Sequence, residues 1–302
     1  MILTSQKRMD DSEGSPIGSS SRFTGTWAYA SRLAALSEFS DVLAAYCLAM
    51  SRGAETSWPT EKVFMQRLRY MICYVLIGNE ARWRRGEGEP PTLAALQRAA
   101  PASARQISSF VKDLRAGGYV EVVRADDARA IHLYASMALL QEIARSPLAF
   151  LEASERLAPT APKLSARFRA SAGDLSQFLG RSADGHEAEE SLFKSFPRIV
   201  RVAEFDCGYS VLAAVFTAYY AATHRETPET ALSYGHLSRR FRISRQHVAN
   251  IFLGARREGW FTVRRGGREV NMSAAMVREF ETWASGQMAH YRLLAEDIVG
   301  AG

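Results

Sequence analysis

Residues 234–272 read YGHLSRRFRISRQHVANIFLGARREGWFTVRRGGREVNM, and this stretch decides the fold. Tyr234, Leu237 and Phe241 recur at three and four residues and so line one face of a short helix. Ile243 then falls in a tight turn, and Ser244 is placed to cap a second helix. That helix buries Val248, Ile251, Phe252 and Ala255 and turns Arg245, Gln246, Ala249 and Asn250 outward. Gly259 ends it, since glycine alone takes the left-handed conformation cheaply. From Trp260 the period drops from 3.6 to 2. Trp260 to Val263 and Glu269 to Met272 become two strands around a basic, glycine-rich tip of Arg264, Arg265, Gly266, Gly267 and Arg268. Helix, turn, helix and hairpin wing in this order make a winged helix-turn-helix.

The same plan occurs earlier in the chain. Ser103, Gln106, Ile107, Phe110, Val111, Leu114, Gly118, Tyr119 and Val120 fall without a gap on Ser244, His247, Val248, Ile251, Phe252, Ala255, Gly259, Trp260 and Phe261, a constant offset of 141 residues. Upstream, Leu93, Leu96 and Ala100 fall on Tyr234, Leu237 and Phe241. The first copy therefore predicts helices over 92–100 and 103–117 and strands over 119–124 and 130–134, with a tip two residues longer.

Long helical stretches flank each copy, over 28–51 and 61–79, 136–157, 209–224 and 273–299. Pro159 and Pro162 mark a linker between the halves. Residues 1–25, rich in Ser, Gly and Asp, read as a disordered tail with too little to bury. The expected architecture is mainly α with small β-hairpin wings. A first winged-helix domain with flanking helices spans 26–158 and a second spans 159–302.

The chain has 302 residues, 47% of them apolar, which suffices for two ordinary cores. No apolar run reaches the roughly 18 to 20 residues of a membrane span, and no secretory signal opens the chain, so a cytoplasmic location is expected. Cys47, Cys73 and Cys207 are far apart and lack metal-site spacing, which suits free thiols. His186 beside Glu187, Glu189 and Glu190 has no second histidine at helical spacing, and His224 stands alone, so no metal site is expected. Without a phosphate loop, nucleophile elbow or paired catalytic carboxylates, neither a cofactor nor an enzyme activity is expected. The net charge of +6 is moderate. Its placement says more, because arginines crowd around 239–245, 256–257 and 264–268, the footprint of a surface facing phosphates.

At the first wing, Asp127-Ala128-Arg129-Ala130-Ile131-His132-Leu133-Tyr134-Ala135-Ser136 resembles the aspartate, any residue, arginine wing of MarR-type winged-helix regulators. The resemblance implies that Arg129 enters the minor groove and that Asp127 steadies it. Members of that family are normally intertwined homodimers, so a chain holding two such halves implies a fused pseudo-dimer. The second half departs from the pattern, with Gly266 and Gly267 near the aspartate's place and Arg268 aligned with Arg129. Its helix-turn-helix resembles equally the C-terminal DNA-binding domain of Crp-type regulators.

On this reading the second helix of each unit enters the major groove, and wings and helix ends hold phosphates. Base readout is expected from Arg245, Gln246 and Asn250 in the second unit and from Ala104, Arg105, Gln106 and Ser109 in the first. Phosphate or minor-groove contact is expected from Arg239, Arg242, Arg264, Arg265, Arg268, Arg124, Arg129 and Lys112. The partner is double-stranded DNA, with no membrane involved. A small-molecule effector is held open for the aromatic segment Tyr209 to Tyr220, and the chain acts as a monomeric pseudo-dimer or pairs further. Three function classes compete: a transcription regulator, a plasmid-type replication initiator, and a winged-helix protein-interaction adaptor. The arginine-rich second wing favours the first over the acidic surfaces usual in the third.

Overall fold

The computed structural model describes residues 21–52, 63–124, 131–184, 195–224, 231–267 and 269–300. Among them the chain is mainly helical, with thirteen helices and two antiparallel strand pairs. The first half runs α1 (Ser21–Ala34), α2 (Phe39–Met50), α3 (Arg67–Arg84), α4 (Leu93–Ala99), α5 (Ala104–Ala116), β1 (Val120–Arg124), β2 (Ile131–Ala135) and α6 (Met137–Leu157). The second runs α7 (Leu164–Ala170), α8 (Ala172–Asp184), α9 (Pro197–Ala203), α10 (Gly208–Thr223), α11 (Tyr234–Phe241), α12 (Arg245–Arg257), β3 (Phe261–Arg264), β4 (Glu269–Met272) and α13 (Ala274–Gly300).

Two sequence expectations are corrected at the amino end. Residues 21–25, read as part of the tail, open α1, because a helix anchored downstream by buried Ala30 and Leu33 extends at one hydrogen bond per residue. The stretch 28–51 is two helices rather than one. The chain turns at 35–38, and Gly25–Ala34 and Phe39–Met50 meet at a bend of 101°. The bend lets α1 lie on α13 while α2 lies on α10. No single helix among the described residues is long and apolar enough to cross a membrane, although this bent pair has the composition to do so.

The halves exchange their leading helices. By the repeat, α3 and α10 hold equivalent places, as do α6 and α13. Helices α1 and α2 of the first half rest on α13 and α10 of the second, whereas α7 and α8 of the second rest on α6 and α3 of the first. Helices α6 and α13 pack on each other at the centre. One hydrophobic cluster consequently runs from Leu33 to Ile298, drawing on both sides of position 158. Its central seam is aromatic: Phe150 stacks on Tyr46 at 4.1 Å and meets Trp283 edge-on at 5.4 Å, and Phe216 stacks on Phe280 at 3.8 Å. Such pairs contribute about 0.5–1.5 kcal/mol each beyond their buried area.

Small residues set the closest approach. A methyl group on Gly78 of α3 would lie 2.8 Å from the Ala183 Cβ, and one on Gly180 of α8 would lie 2.3 Å from the Ala81 Cβ, so the two helices cross nearly backbone to backbone. Pro147 inside α6 lacks the N–H that would bond the Ile143 carbonyl, and the Tyr70 hydroxyl donates to that carbonyl instead at 3.1 Å. Glu155 near the end of α6 accepts from the Leu164 and Ser165 amides at 2.5 and 3.2 Å, capping α7 and pinning the linker between the halves.

Candidate nucleic-acid interface

In the second half, Ser233 and Ser244 cap α11 and α12 through their hydroxyls, which accept from the His236 and His247 amides. Arg242, in the left-handed conformation (φ 54°), turns the chain between the helices, and the Ser238 hydroxyl donates to the Ile243 carbonyl at 2.6 Å. Leu237, Phe241, Val248, Ile251, Phe252 and Ala255 are buried as the periodicity requires, and Gly259 stands at φ 67° just past α12. This core leaves Arg245, Gln246 and Asn250 exposed. The Gln246 amide donates to the Asn250 side-chain carbonyl at 2.9 Å, one helical turn along. Leu253, 45% exposed, continues the same face at the next turn. The sequence reading passed over it, although its spacing of seven from Gln246 and three from Asn250 separates it from the buried stripe.

The cations gather on the flanks of that face. A Cβ built on Gly235 would lie 3.7 Å from guanidinium nitrogens of both Arg239 and Arg245, so these two side chains converge over the first turn of α11. Neither has an acidic partner among the described residues. Arg264 and Arg265 are exposed at the hairpin end, where residues 265–267 form a short 3-10 turn. Arg265 pairs with Glu269 at 2.8 Å. Gly267 (φ 99°) lies so close to the Leu232–Ser233 backbone that an added Cβ would sit 2.6 Å from it. The tip is therefore folded back against the start of α11. Arg268, Asp127 and Arg129 lie outside the described residues.

In the first half Ala104, Arg105, Gln106, Ser109 and Lys112 are all exposed, as is Arg124 at the end of β1. Gln106 is nonetheless spoken for. Its side-chain carbonyl accepts from the Ser103 amide at 3.1 Å and the Ser103 hydroxyl at 2.8 Å, while the Ser103 hydroxyl accepts from the Gln106 amide, a complete capping box. A glutamine reading adenine needs that same carbonyl free, so Arg105, Ser109 and Lys112 are the side chains α5 has to offer.

The two hairpins differ in length by one ladder pair. β1 and β2 form five pairs from Val120–Ala135 to Arg124–Ile131, and β3 and β4 form four from Phe261–Met272 to Arg264–Glu269. Both hairpins close alike, with the Ser136 amide on the Tyr119 carbonyl at 3.0 Å and the Ser273 amide on the Trp260 carbonyl at 2.9 Å.

Between the halves lies a cavity of about 90 Å³ walled by Met50, Phe64, Tyr70, Phe150, Tyr209 and Trp283, with Arg67 and Gln287 on its lining. Gln287 is 2% exposed, and neither its Nε2 nor the Arg67 Nε has an acceptor among the described residues. Burial pushes the thiols of Cys47 and Cys73 far up, which leaves them as inert core groups. Glu80, 5% exposed, accepts from the Ala135 amide at 2.7 Å and pairs with Arg84 at 2.7 Å, tying β2 to α3; burial raises its carboxyl above the usual range. Among the described residues no group of three or more His, Cys, Asp or Glu is placed to hold a metal ion. Set against models of protein families, curated proteins and solved structures, the chain matches none.

Proposed function

We propose that the chain is a sequence-specific double-stranded DNA-binding transcription regulator built from two winged helix-turn-helix units, acting as one fused pseudo-dimer of MarR-type halves. One observation carries the reading: α12 presents Gln246, Asn250 and Leu253 in a row, flanked by the exposed guanidinium groups of Arg239, Arg245 and Arg264. An amide pair suits the acceptor and donor of adenine, a leucine suits the thymine methyl, and each good contact discriminates by about 1–3 kcal/mol. The flanking arginines suit phosphates on either side of a major groove. The reciprocal exchange of helices supports the pseudo-dimer, since it reproduces within one chain the pattern of a two-fold intertwined pair. The inequality of the two faces argues for an imperfect palindrome, read mainly by the second unit. For a small-molecule effector we place the site at the aromatic cavity, where the Gln287 and Arg67 donors would meet an acceptor group.

The test is selection of bound fragments from random duplex DNA with the wild-type chain and with Asn250→Ala. The wild type is expected to enrich a two-part motif, and the substitution to relax preference at one or two adjacent positions of the stronger half. Absence of any enriched motif, or a motif indifferent to Asn250, counts against the assignment.

A further inference from the structure

The halves are fastened together beside both reading helices, and the fastening is one-sided. Asp206 stands ahead of α10 at the place Met65 holds ahead of α3. Its carboxylate takes the Arg69 Nη1 of the first half at 3.3 Å. Its main-chain carbonyl takes the ring Nε2 of His247, third residue of α12, at 2.9 Å. A carbonyl only accepts, so the His247 ring carries its proton on Nε2 in this contact. The ring also meets Phe205 edge-on at 6.2 Å. Two further bonds close the seam, from the Cys207 amide to the Met65 carbonyl at 3.1 Å and from the Gln66 side chain to the Glu204 carbonyl at 3.4 Å. In the first half the residue at the place of His247 is Gln106, whose side chain is bound into its own helix cap. It lines an open groove with Gln66 and Arg69 rather than bridging it.

We propose that the His247–Asp206–Arg69 clasp fixes the second reading helix relative to the first half, so that the chain accepts a single separation between its two half-sites. This rests on the DNA-binding reading above. Successive base pairs are displaced by about 3.4 Å along the duplex axis and rotated by about a tenth of a turn. A 2.9 Å hydrogen bond has lost its hold well before it is stretched by that amount. Reading half-sites one base pair nearer or farther therefore requires the clasp to open. Asp206 and His247 are in this sense positioning residues, which touch no base themselves.

The experiment uses full-length chain and duplexes carrying the selected half-sites with spacers varied one base pair at a time. The key variant is His247→Ala, which removes the ring and its bond to the Asp206 carbonyl while the Ser244 hydroxyl still caps α12 through the main-chain amide of residue 247. The wild type is expected to bind one spacing at least tenfold better than its neighbours. His247→Ala is expected to bind the neighbouring spacings within about threefold of the best, with the same half-site sequences. A thermal melt accompanies each variant, and should His247→Ala fail to fold, Arg69→Ala on the exposed side of the clasp provides the same readout. A folded variant that keeps the wild-type spacing preference overturns the clasp and leaves DNA binding standing. A wild type that enriches no duplex overturns both.

Discussion

Removing a carboxylate from the second wing should tighten DNA binding. Glu269 lies 2.8 Å from Arg265, whose side chain is 78% exposed, so the pair presents no net charge at a hairpin end otherwise furnished with arginine. Exposed pairs of this kind contribute little to stability, about 0.2–1 kcal/mol, so Glu269→Gln leaves the fold intact while adding one unit of positive charge beside the phosphates. Each additional phosphate neutralised steepens the dependence of log K on log salt by about 0.9 on duplex DNA, and the gain extrapolated from 1 M to 0.1 M salt is about eightfold. The control is Arg265→Ala, which removes a cation already neutralised and should alter the slope far less than Arg239→Ala, whose guanidinium has no acidic partner among the described residues and should take about 0.9 with it. Fluorescence anisotropy with a selected duplex between 50 and 200 mM salt measures all three. If Glu269→Gln leaves both affinity and slope unchanged, the second wing does not face phosphate; if Arg265→Ala flattens the slope as much as Arg239→Ala, Arg265 meets phosphate itself and Glu269 does not neutralise it in the complex.

Two expectations concern the scaffold. Gly180→Ala would bring a methyl group to 2.3 Å from the Ala81 Cβ, where carbon atoms rest at about 3.5–4.0 Å, so α8 and α3 must part. The cost should be about 1–3 kcal/mol, read as a lower urea midpoint at unchanged m; an unmoved midpoint would show that the crossing is looser than described. His290 has a buried Nε2 without a partner among the described residues, and burial lowers its ring to about 4 from the usual 6.5. The unfolded chain therefore binds more protons than the folded one between those values. The stability His290 contributes is present above pH 6.5 and is lost as pH falls toward 4. His290→Gln should flatten unfolding midpoints across that window, and an identical pH profile in the two proteins would place the ring in water.

What the sequence disclosed was whatever depends on neighbours along the chain. The offset of 141 residues placed both helix pairs to within a residue or two, because Ser103 and Ser244, Gly118 and Gly259, and the stripes around Ile107 and Val248 act within a few turns of themselves. Exposure was legible for the same reason, and each described side chain expected at the interface is exposed. The commitments of those side chains were less visible. Gln106 stands three residues after Ser103, a capping-box spacing written in the sequence but outranked there by the appeal of glutamine as a base reader. Glu269 neutralises Arg265 across a turn whose geometry depends on Gly267 packing against Leu232 and Ser233, far away in sequence.

The exchange of helices lay further out of reach, and the reason bears on the whole reading. An amphipathic helix declares that it has a face to bury, and nothing in its own period says whether the covering surface belongs to its own half. The clue that existed was small residues at matched spacing, Gly78 with Ala81 and Gly180 with Ala183, which mark two helices that approach too closely for ordinary side chains. Because α8 seats on α3, and α3 leads into the first helix pair while α10 leads into the second, neither pair is oriented by its own half alone. Two independent domains on a linker would present α5 and α12 at variable distance. Helices exchanged across one shared core hold them at a set distance, and under the DNA-binding function proposed above this makes the spacing of the half-sites, more than the sequence of either one, the property on which the proposed pseudo-dimer stands or falls.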